Sequence, residues 1–375
     1  MATTKEYDLG EFTFPRGWFM VADSATVTRE PRSIHFFGQD LALYRGESGR
    51  AVLLDAYCPH MRTNIACETT SFTALDGRVE GDCIRCPYHG WRFGPDGKCN
   101  EIPYSTQPIP RAAKLRAWPV AEALGAVFAW HDAEGGEPEW EAPTLPEWDE
   151  AGWVRWVYDD LGTLNTHPQE IVDNIVDCSH LGPLHGQKPI LFFENEFRGH
   201  LAIQRQGGSH RTLIGPGGKY PLLVTDTTYH GPGILVAKLT GMQDAIMFIA
   251  HTPTDDGVVH VWHAALVKAP SGAAQPTEQD VAAARAYQAA MLTAFSQDFG
   301  IWGNKKPCLH GMYVSGDGPF QKERQWYRQF YNPRVDREKY VKPVEGIHRV
   351  VDIPGAPECR PGETLGQAAA RVNGG

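Results

Sequence analysis

Two short segments of the chain each place a cysteine close to a histidine: Cys58 with His60, and Cys86 with His89. Thiolates and imidazoles are among the ligands that transition metals prefer in proteins. Two such segments facing each other could hold two irons bridged by sulfide, with both cysteines on one iron and both histidines on the other. The pairs therefore indicate an electron-transfer module in the N-terminal third of the chain.

Zinc is the alternative occupant of four cysteine and histidine ligands. Zinc sites usually pair like residues, two cysteines followed by two histidines, whereas each segment here mixes the two types. The single-residue gap between Cys58 and His60 suits a tight loop tip better than a zinc finger. The pattern thus favours a Rieske-type [2Fe–2S] cluster over zinc and over unliganded side chains. Cys67 and Cys83 lie between the pairs, but neither has a histidine at the required spacing, so both are left out.

A second set of candidate ligands lies further along the chain. A helix is predicted over 169–181, and His180 and His185 flank the Gly-Pro turn that ends it. Two imidazoles and one carboxylate form the facial triad of Fe(II) enzymes that activate O₂, and Asp298 on a later helix is the candidate carboxylate. Asp177, three residues before His180, is predicted to share its helical face and to orient its imidazole.

Other titratable residues could compete for these roles. On spacing alone, four more carboxylates are possible third ligands: Asp255, Asp256, Asp280 and Asp317. Asp173 and Asn174 suit supporting or capping roles better than ligation. His260 and His263 lie three residues apart in a predicted strand, so they should point to opposite faces and cannot bind one metal together. Three further histidines are interpreted as structural: His35, His131 and His251.

The composition is that of an ordinary globular protein. The 375 residues carry a formal net charge of −10, which argues against a nucleic-acid or anionic-membrane surface. No apolar run approaches the ~20 residues that span a bilayer, and the polar N-terminal residues lack the apolar core of a signal peptide. A cytoplasmic location is the default expectation. In that reducing compartment the six cysteines outside the two pairs are expected to be free thiols.

The pattern of short and long elements predicts two domains. Short strands separated by turn residues precede the Glu-, Gly- and Pro-rich stretch 132–146, which reads as a linker. We therefore expect an all-β domain over 15–135 and a second domain over 136–375, with residues 1–14 packing on the latter. The second domain should contain an antiparallel sheet and a long helix. The predicted strands cover 201–205, 222–229, 234–239, 245–251 and 258–267, and the helix begins after Thr277 and runs to about Trp302.

The motifs together resemble the Rieske non-haem iron oxygenases. Residues 58–61 (CPHM) and 86–91 (CPYHGW) match the cluster motif of that family. Residues 173–185 resemble its bridging aspartate and iron-ligand segment, and 297–302 resembles the segment that holds its carboxylate ligand. Residues 193–200 are similar to the α (oxygenase) subunits that act on steroids, the 3-ketosteroid 9α-hydroxylase-like group.

The resemblance implies an α+β architecture, with an N-terminal Rieske all-β domain followed by a helix-grip catalytic domain. It implies a [2Fe–2S] cluster on the two Cys-His pairs and a mononuclear Fe(II) on His180, His185 and Asp298. It also implies a homotrimer in which the cluster of one subunit faces the iron of the next, with Asp177 connecting the two centres. The implied activity is hydroxylation of an apolar, steroid-like substrate by O₂, as the terminal oxygenase of a monooxygenase system.

The electrons should come from a separate NAD(P)H-dependent reductase, because the chain has no dinucleotide-binding fingerprint of its own. Two features depart from the family pattern. The spacing between the cluster pairs is longer than usual, which leaves residues 69–77 without a role, and the residues between His180 and His185 are less bulky than in the steroid hydroxylases. Three alternatives therefore stay open: O-demethylation of a methoxylated aromatic, desaturation of a sterol, and an electron carrier or redox sensor.

Overall fold

A computed structural model describes residues 2–210, 222–241 and 243–373. The chain divides into two units, one of Gly17–Thr144 with Thr252–Asp255, and one of Met1–Arg16, Leu145–His251 and Asp256–Gly375. Among the described residues, no helix combines the length and apolar character that crossing a membrane requires.

The first unit is built from short antiparallel strands, as the turn-rich sequence predicts. They form sheets with the orders β1-β10-β9, β2-β3-β4 and β5-β6-β7-β8. The strands are β1 (Gly17–Asp23), β2 (Arg32–Phe36), β3 (Gln39–Arg45), β4 (Ala51–Asp55), β5 (Val79–Glu80), β6 (Cys83–Arg85), β7 (Arg92–Phe93), β8 (Cys99–Glu101), β9 (Val120–Ala123) and β10 (Ala126–His131). Strands β4 and β6 lead into the two Cys-His segments, so the sheets fix where those segments begin.

The stretch expected to be a linker is partly anchored on this first unit. The Trp18 indole N–H donates to the Trp140 carbonyl oxygen at 2.6 Å, and the Trp130 and Trp140 rings pack with centroids 4.6 Å apart. The stretch 69–77 forms a single short helix, α1 (Phe72–Leu75), whose Phe72 side chain is exposed.

The second unit is organised by one large antiparallel sheet with the order β11-β18-β17-β16-β15-β14-β13-β19, and β12 also pairs with β18. The strands are β11 (Trp153–Val154), β12 (Asp159–Leu164), β13 (Gln187–Arg198), β14 (Leu201–His210), β15 (Leu223–His230), β16 (Ile234–Thr240), β17 (Ala245–Asp255), β18 (Val258–Lys268) and β19 (Gly346–Arg349). The helices are α2 (Pro168–Asp173), α3 (Glu278–Trp302), α4 (Phe320–Tyr327), α5 (Arg337–Val341) and α6 (Leu365–Asn373).

Helix α3 packs along the sheet through one apolar stripe. Ala284 and Met291 contact a cluster with Ala265 and Val267 of β18, and Phe295 contacts a cluster with Val261 of the same strand. Burying such a stripe against a sheet is the main source of stability for a helix of this kind. The α+β class, with an N-terminal all-β domain and an antiparallel sheet covered by a long helix, is confirmed.

The predicted helix over 169–181 is wrong beyond Asp173, where α2 ends. A continued helix would require the Ile175 carbonyl to accept from a backbone N–H one turn later. That oxygen instead accepts from the side-chain amides of Asn195, at 2.7 Å, and Gln204, at 2.9 Å. The chain therefore turns away from the helix axis immediately before the candidate iron ligands.

Strand β13 is absent from the sequence prediction although it has 12 residues. Its pairing with β14 shifts register between Gln187 and Ile190 and again between Ile190 and Phe192. Each shift places an extra residue on one strand and breaks the alternation of apolar and polar side chains on which strand prediction depends. Strands β12 and β19 are also absent from the prediction.

The start of α3 is fixed by a reciprocal capping box between Thr277 and Asp280. Removing the Thr277 hydroxyl therefore tests its predicted role as the N-cap. The Thr277 hydroxyl accepts from the Asp280 N–H at 3.2 Å, and the Asp280 carboxylate accepts from the Thr277 N–H at 2.8 Å. We expect Thr277→Ala to lower the free energy of unfolding by about 1 kcal/mol, because one helix N–H loses its acceptor. Urea denaturation measures the change. Thr293→Ala, at an exposed position inside the same helix, is the control and should cost much less; equal losses would contradict the capping account.

Candidate metal centres

The two Cys-His segments have the same backbone hydrogen-bond pattern. In the first, the Cys58 N–H donates to the Thr63 carbonyl and the Arg62 N–H donates to the Cys58 carbonyl, both at 2.9 Å. In the second, Cys86 pairs in the same way with Trp91 and Gly90. The fifth residue of each loop has a positive φ, 59° at Arg62 and 73° at Gly90. Two tight loops with the same backbone bonds therefore present the two Cys-His pairs, with His60 third in its loop and His89 fourth.

The side chains of these loops meet in pairs by type. The Cys58 and Cys86 thiols are both buried, while the His60 and His89 rings lie edge to face with centroids 4.6 Å apart. The His60 ring also stacks on Trp91, with centroids 4.7 Å apart. Sulfur ligands thus lie on the buried side of the loop pair and nitrogen ligands towards its outer side, the division that a Rieske cluster requires.

The surroundings favour the metal-binding form of one cysteine. The hydrogen bond from the Cys58 thiol, together with the backbone N–H groups of Tyr88 and His89, lowers the pKa of the Cys86 thiol despite its burial. The thiolate is the form that binds metal, so this environment prepares a ligand. The ligand atoms of Cys58, His60, Cys86 and His89 do not all lie within 4.8 Å of one another in the described part of the chain. A single tetrahedral zinc needs such convergence, whereas a two-iron cluster does not.

The second candidate centre brings together the three side chains that the sequence predicted. One ligand atom from each of His180, His185 and Asp298 lies within 4.8 Å of the other two. Nε2 of His185 is 3.4 Å from Oδ2 of Asp298, and the two imidazole rings are nearly perpendicular with centroids 5.1 Å apart. Asp298 is buried, while the histidines are slightly exposed. Two imidazoles and one carboxylate in this arrangement fit an iron with open coordination positions.

Each of the three ligands has its other polar atom occupied by the protein. Nδ1 of His180 donates to the Asp177 carbonyl oxygen at 2.6 Å, and Nδ1 of His185 donates to Oε1 of Gln297 at 3.0 Å. Because a carbonyl oxygen can only accept, Nδ1 of His180 carries the proton and Nε2 is free to bind metal. Oδ1 of Asp298 accepts from the Asn174 amide at 2.9 Å, which leaves Oδ2 facing the histidines.

The surroundings of His185 favour its protonated, positively charged form. Burial alone lowers the pKa of His185, but the hydrogen bond and the negative charge of Asp298 outweigh it, so the pKa is raised. A carboxylate that attracts a proton at this position attracts a metal cation for the same electrostatic reason.

Asp177 contacts His180, but not across a helical face as the sequence predicted. It lies in a turn, and its Oδ1 accepts from the backbone N–H groups of Ser179, at 3.0 Å, and His180, at 3.1 Å. The Asp177 side chain thus begins the 3₁₀ turn Ser179–Leu181 that carries His180. Burial raises the pKa of Asp177, but its bonds to His180 and Ser179 outweigh this effect and lower it.

Other residues singled out in the sequence lie outside this group. Asn174 has both predicted roles, since it ends α2 and holds Asp298. Asp173 pairs with Arg324, and Asp280 belongs to the capping box of α3. The two strand histidines bind different acceptors: His260 contacts Asp160 at 2.6 Å, and His263 contacts Asp159 at 2.9 Å.

Sequence reasoning missed the side chains that shape this centre from the sheet. Asn195 and Gln204 hold the Ile175 carbonyl just after the end of α2, and no spacing or residue type distinguishes them from solvent-facing amides. The role of Gln297 was also not predicted, although its position beside Asp298 is a usable signal, because a residue adjacent to one ligand can reach another.

An apolar cavity of about 240 Å³ opens beside the three ligands. His180, His185 and Asp298 form part of its wall. Much of the remaining wall is apolar and includes Ile171, Ile175, Leu235, Ile249, Met291 and Phe295. A small apolar molecule in this cavity would lie next to the candidate iron and away from water.

The contact between Gln297 and His185 predicts a specific loss of metal affinity. We expect Gln297→Leu to weaken Fe(II) binding by about 10–100-fold, because the imidazole loses the acceptor that fixes its orientation. Gln297→Glu keeps an acceptor oxygen and should retain most of the affinity. Titration of bound Fe(II) with a chelator measures the effect, and acid-labile sulfide should not change. The exposed Ser296→Ala is the control; wild-type affinity in Gln297→Leu would contradict the assignment.

Comparison with protein-family models gives two matches that together span most of the chain. Residues 17–119 match the Rieske [2Fe-2S] domain, and residues 129–331 match the 3-ketosteroid 9alpha-hydroxylase C-terminal domain. The two matched segments contain all of the candidate ligands described above.

Known proteins agree with this division. The chain is 34% identical over 339 residues to a probable 3-ketosteroid-9-alpha-monooxygenase, oxygenase component, of Rhodococcus rhodochrous, covering 85% of this chain and 80% of that protein. It is 30% identical over 364 residues to cholesterol 7-desaturase nvd 1 of Ciona intestinalis. That match covers 86% of this chain and 70% of the relative. The solved structure of NdmA from Pseudomonas putida CBB5 superposes with a TM-score of 0.66 at 16% identity, covering 93% of this chain and 98% of that one, a likeness of fold.

Proposed function

This chain belongs to the Rieske oxygenase family that is defined by the 3-ketosteroid 9α-hydroxylase C-terminal domain, and we propose that it hydroxylates a steroid as the terminal oxygenase of a monooxygenase system. It is a Rieske-type oxygenase whose cofactors are a [2Fe–2S] cluster and a mononuclear non-haem iron. The observation that carries the proposal is the apolar cavity bordered by two histidines and one carboxylate.

In this proposal the two metal groups are held by different parts of the chain. Residues 15–135 hold the cluster through Cys58, His60, Cys86 and His89. Residues 136–375, with 1–14, hold the iron through His180, His185 and Asp298. The buried thiols and outward imidazoles support the first assignment, and the free Nε2 and Oδ2 atoms support the second.

The bound iron supplies O₂ activation, and the protein supplies position and exclusion of water. Hydrogen bonds that Asp177 and Gln297 accept and that Asn174 donates hold the ligands before substrate binds, so little reorganisation is needed. The apolar wall removes the steroid from water and keeps it beside the ligands. In the proposed trimer, Asp177 would connect a cluster histidine of the neighbouring subunit to His180 and would support electron transfer between the two centres.

The proposed partners follow from the exposed end of the cluster loops. His60 is exposed, and Met61, Tyr88 and Tyr104 expose about 60% of their surface around it. Apolar side chains clustered at an exposed redox ligand fit a protein–protein contact. We assign this surface to electron entry from a separate NAD(P)H-dependent reductase and to the neighbouring subunit of a homotrimer. The proposed location is the cytoplasm, where a reducing environment keeps cysteine ligands available.

Desaturation of a sterol is the second candidate function. The likeness to a protein named cholesterol 7-desaturase favours it, since the chain covers 70% of that relative at 30% identity. Hydroxylation and desaturation both remove hydrogen from an unactivated carbon and need the same two metal centres. The mass of the product separates them, because only hydroxylation adds an oxygen atom.

Ligand substitutions test the two-centre assignment. We expect His180→Ala and Asp298→Ala to lose the mononuclear iron and all product formation, because a two-ligand site does not retain Fe(II). Both variants should keep the two irons and the acid-labile sulfide of the cluster. Iron and sulfide analysis with product detection by mass spectrometry checks this, and His260→Ala is the control outside the site. Full iron content and full activity in either ligand variant would contradict the proposal.

The role of Asp177 is tested by measuring metal content and product formation separately in the same variant. We expect Asp177→Asn to retain both metal centres but to lower product formation by about 10–100-fold, because the carboxylate beside His180 loses its charge. Ser179→Ala removes another contact of the same carboxylate and keeps its charge, so it should have a small effect. Stopped-flow oxidation of the reduced cluster measures the electron-transfer step. A wild-type rate of cluster oxidation in Asp177→Asn would exclude the proposed role.

A further inference from the structure

The cavity beside the iron ligands has one polar pair in its sheet wall. Gln204 of β14 and Thr227 of β15 both line the cavity. The two residues are direct partners in the antiparallel register, so their side chains lie on the same face of the sheet. Each is more than nine-tenths buried, with 7% and 8% of its surface exposed. They therefore form a single small polar patch in a mostly apolar wall.

The Gln204 amide has a fixed orientation that leaves its oxygen available. Its Nε2 donates to the Ile175 carbonyl at 2.9 Å, just after the end of α2. Oε1 consequently points away from that carbonyl and can only accept a hydrogen bond. The Thr227 hydroxyl, which can both donate and accept, has no hydrogen-bond partner among the residues that the structure describes. The patch thus offers one acceptor and one hydroxyl.

Two other polar side chains of the wall, Asn174 and Tyr229, already form hydrogen bonds within the protein. Asn174 uses its amide N–H on Asp298, and its oxygen accepts from the Trp302 indole at 3.4 Å. Tyr229 is fully buried, and its hydroxyl is bound to His251 at 3.1 Å. Among the described wall residues outside the iron ligands, Gln204 and Thr227 therefore supply the hydrogen-bonding capacity that a ligand can use.

The patch favours a ligand group that can both donate and accept a hydrogen bond. A hydrocarbon surface placed against it would leave both polar groups without water or a partner, which is unfavourable. A ketone oxygen could accept from Thr227 but would leave the Gln204 oxygen without a donor. A hydroxyl group can donate to Gln204 and accept from Thr227 at the same time. Alcohol chemistry is thus the match for this pair.

We propose that Gln204 and Thr227 form a subsite that binds a hydroxyl group of the steroid substrate. The inference rests on the proposed function, because it assumes that a steroid occupies the cavity. It adds that the substrate is a hydroxysteroid, held with its alcohol against β14 and β15 while the remaining ring carbons lie along the apolar wall. Discrimination between an alcohol and its matched ketone is the property that this pair confers.

Equilibrium binding to the iron-loaded, anaerobic holoenzyme tests the subsite. The probes are androstane and its single-alcohol and single-ketone derivatives at either end of the ring system, and binding is followed by calorimetry. We expect one alcohol to bind about tenfold tighter than its matched ketone and than androstane, the value of roughly one buried hydrogen bond. Thr227→Val, which keeps the side-chain shape, should bring that matched pair within about twofold.

Thr225→Val is the matched control, two positions earlier on β15. Its hydroxyl is buried and has no hydrogen-bond partner within the described part of the chain. Thr225 is not one of the described residues that line the cavity, so the preference for the alcohol should not change. Equal affinity for every matched pair in the wild-type protein would overturn the subsite, as would a preserved preference in Thr227→Val. Oxidised product from any of the steroids would still support the proposed function. Failure of the wild-type protein to bind any of them would overturn both proposals.

Discussion

The iron centre depends on the hydrogen bonds that hold the chain just after the end of helix α2. The Ile175 carbonyl accepts from Asn195 and Gln204, two amides on neighbouring strands, and not from the backbone of a further helical turn. The following residues leave the helix axis, so that His180 and His185 can face Asp298. Because an unpaired buried carbonyl costs about 1–3 kcal/mol, the two sheet amides stabilise the path that the chain takes after the helix. A longer helix would carry His180 away from the other ligands.

Both candidate centres use the same device, in which local backbone and side-chain bonds fix the ligands before any metal is present. The cluster loops do this with paired backbone hydrogen bonds, and the iron site does it with one acceptor or donor behind each ligand. A ligand whose second polar atom is occupied has one free atom and one orientation. Such preorganisation lowers the cost of metal binding and leaves the open side of the iron to the apolar cavity.

The ligands could be predicted from the sequence because their chemistry is visible in residue type and spacing. Long regular elements could also be predicted: α3 has a clear N-cap and helix-forming residues, and it runs to the predicted Trp302. The course of the chain after α2 could not be predicted, because it depends on Asn195 and Gln204, which are remote in sequence and resemble surface amides. Strand β13 was missed since its register shifts remove the alternating pattern. Local signals therefore predicted elements, and contacts between distant residues determined where those elements stop.

The central claim is that one polypeptide holds two separate iron centres of different kinds. Mössbauer spectroscopy of protein enriched in the Mössbauer isotope of iron measures this directly, because each type of iron gives its own signal. With an oxidised cluster and a reduced mononuclear site, the account predicts cluster iron and high-spin Fe(II) in a ratio of roughly two to one. A spectrum in which all of the iron belongs to the cluster, or one without cluster iron, would contradict it.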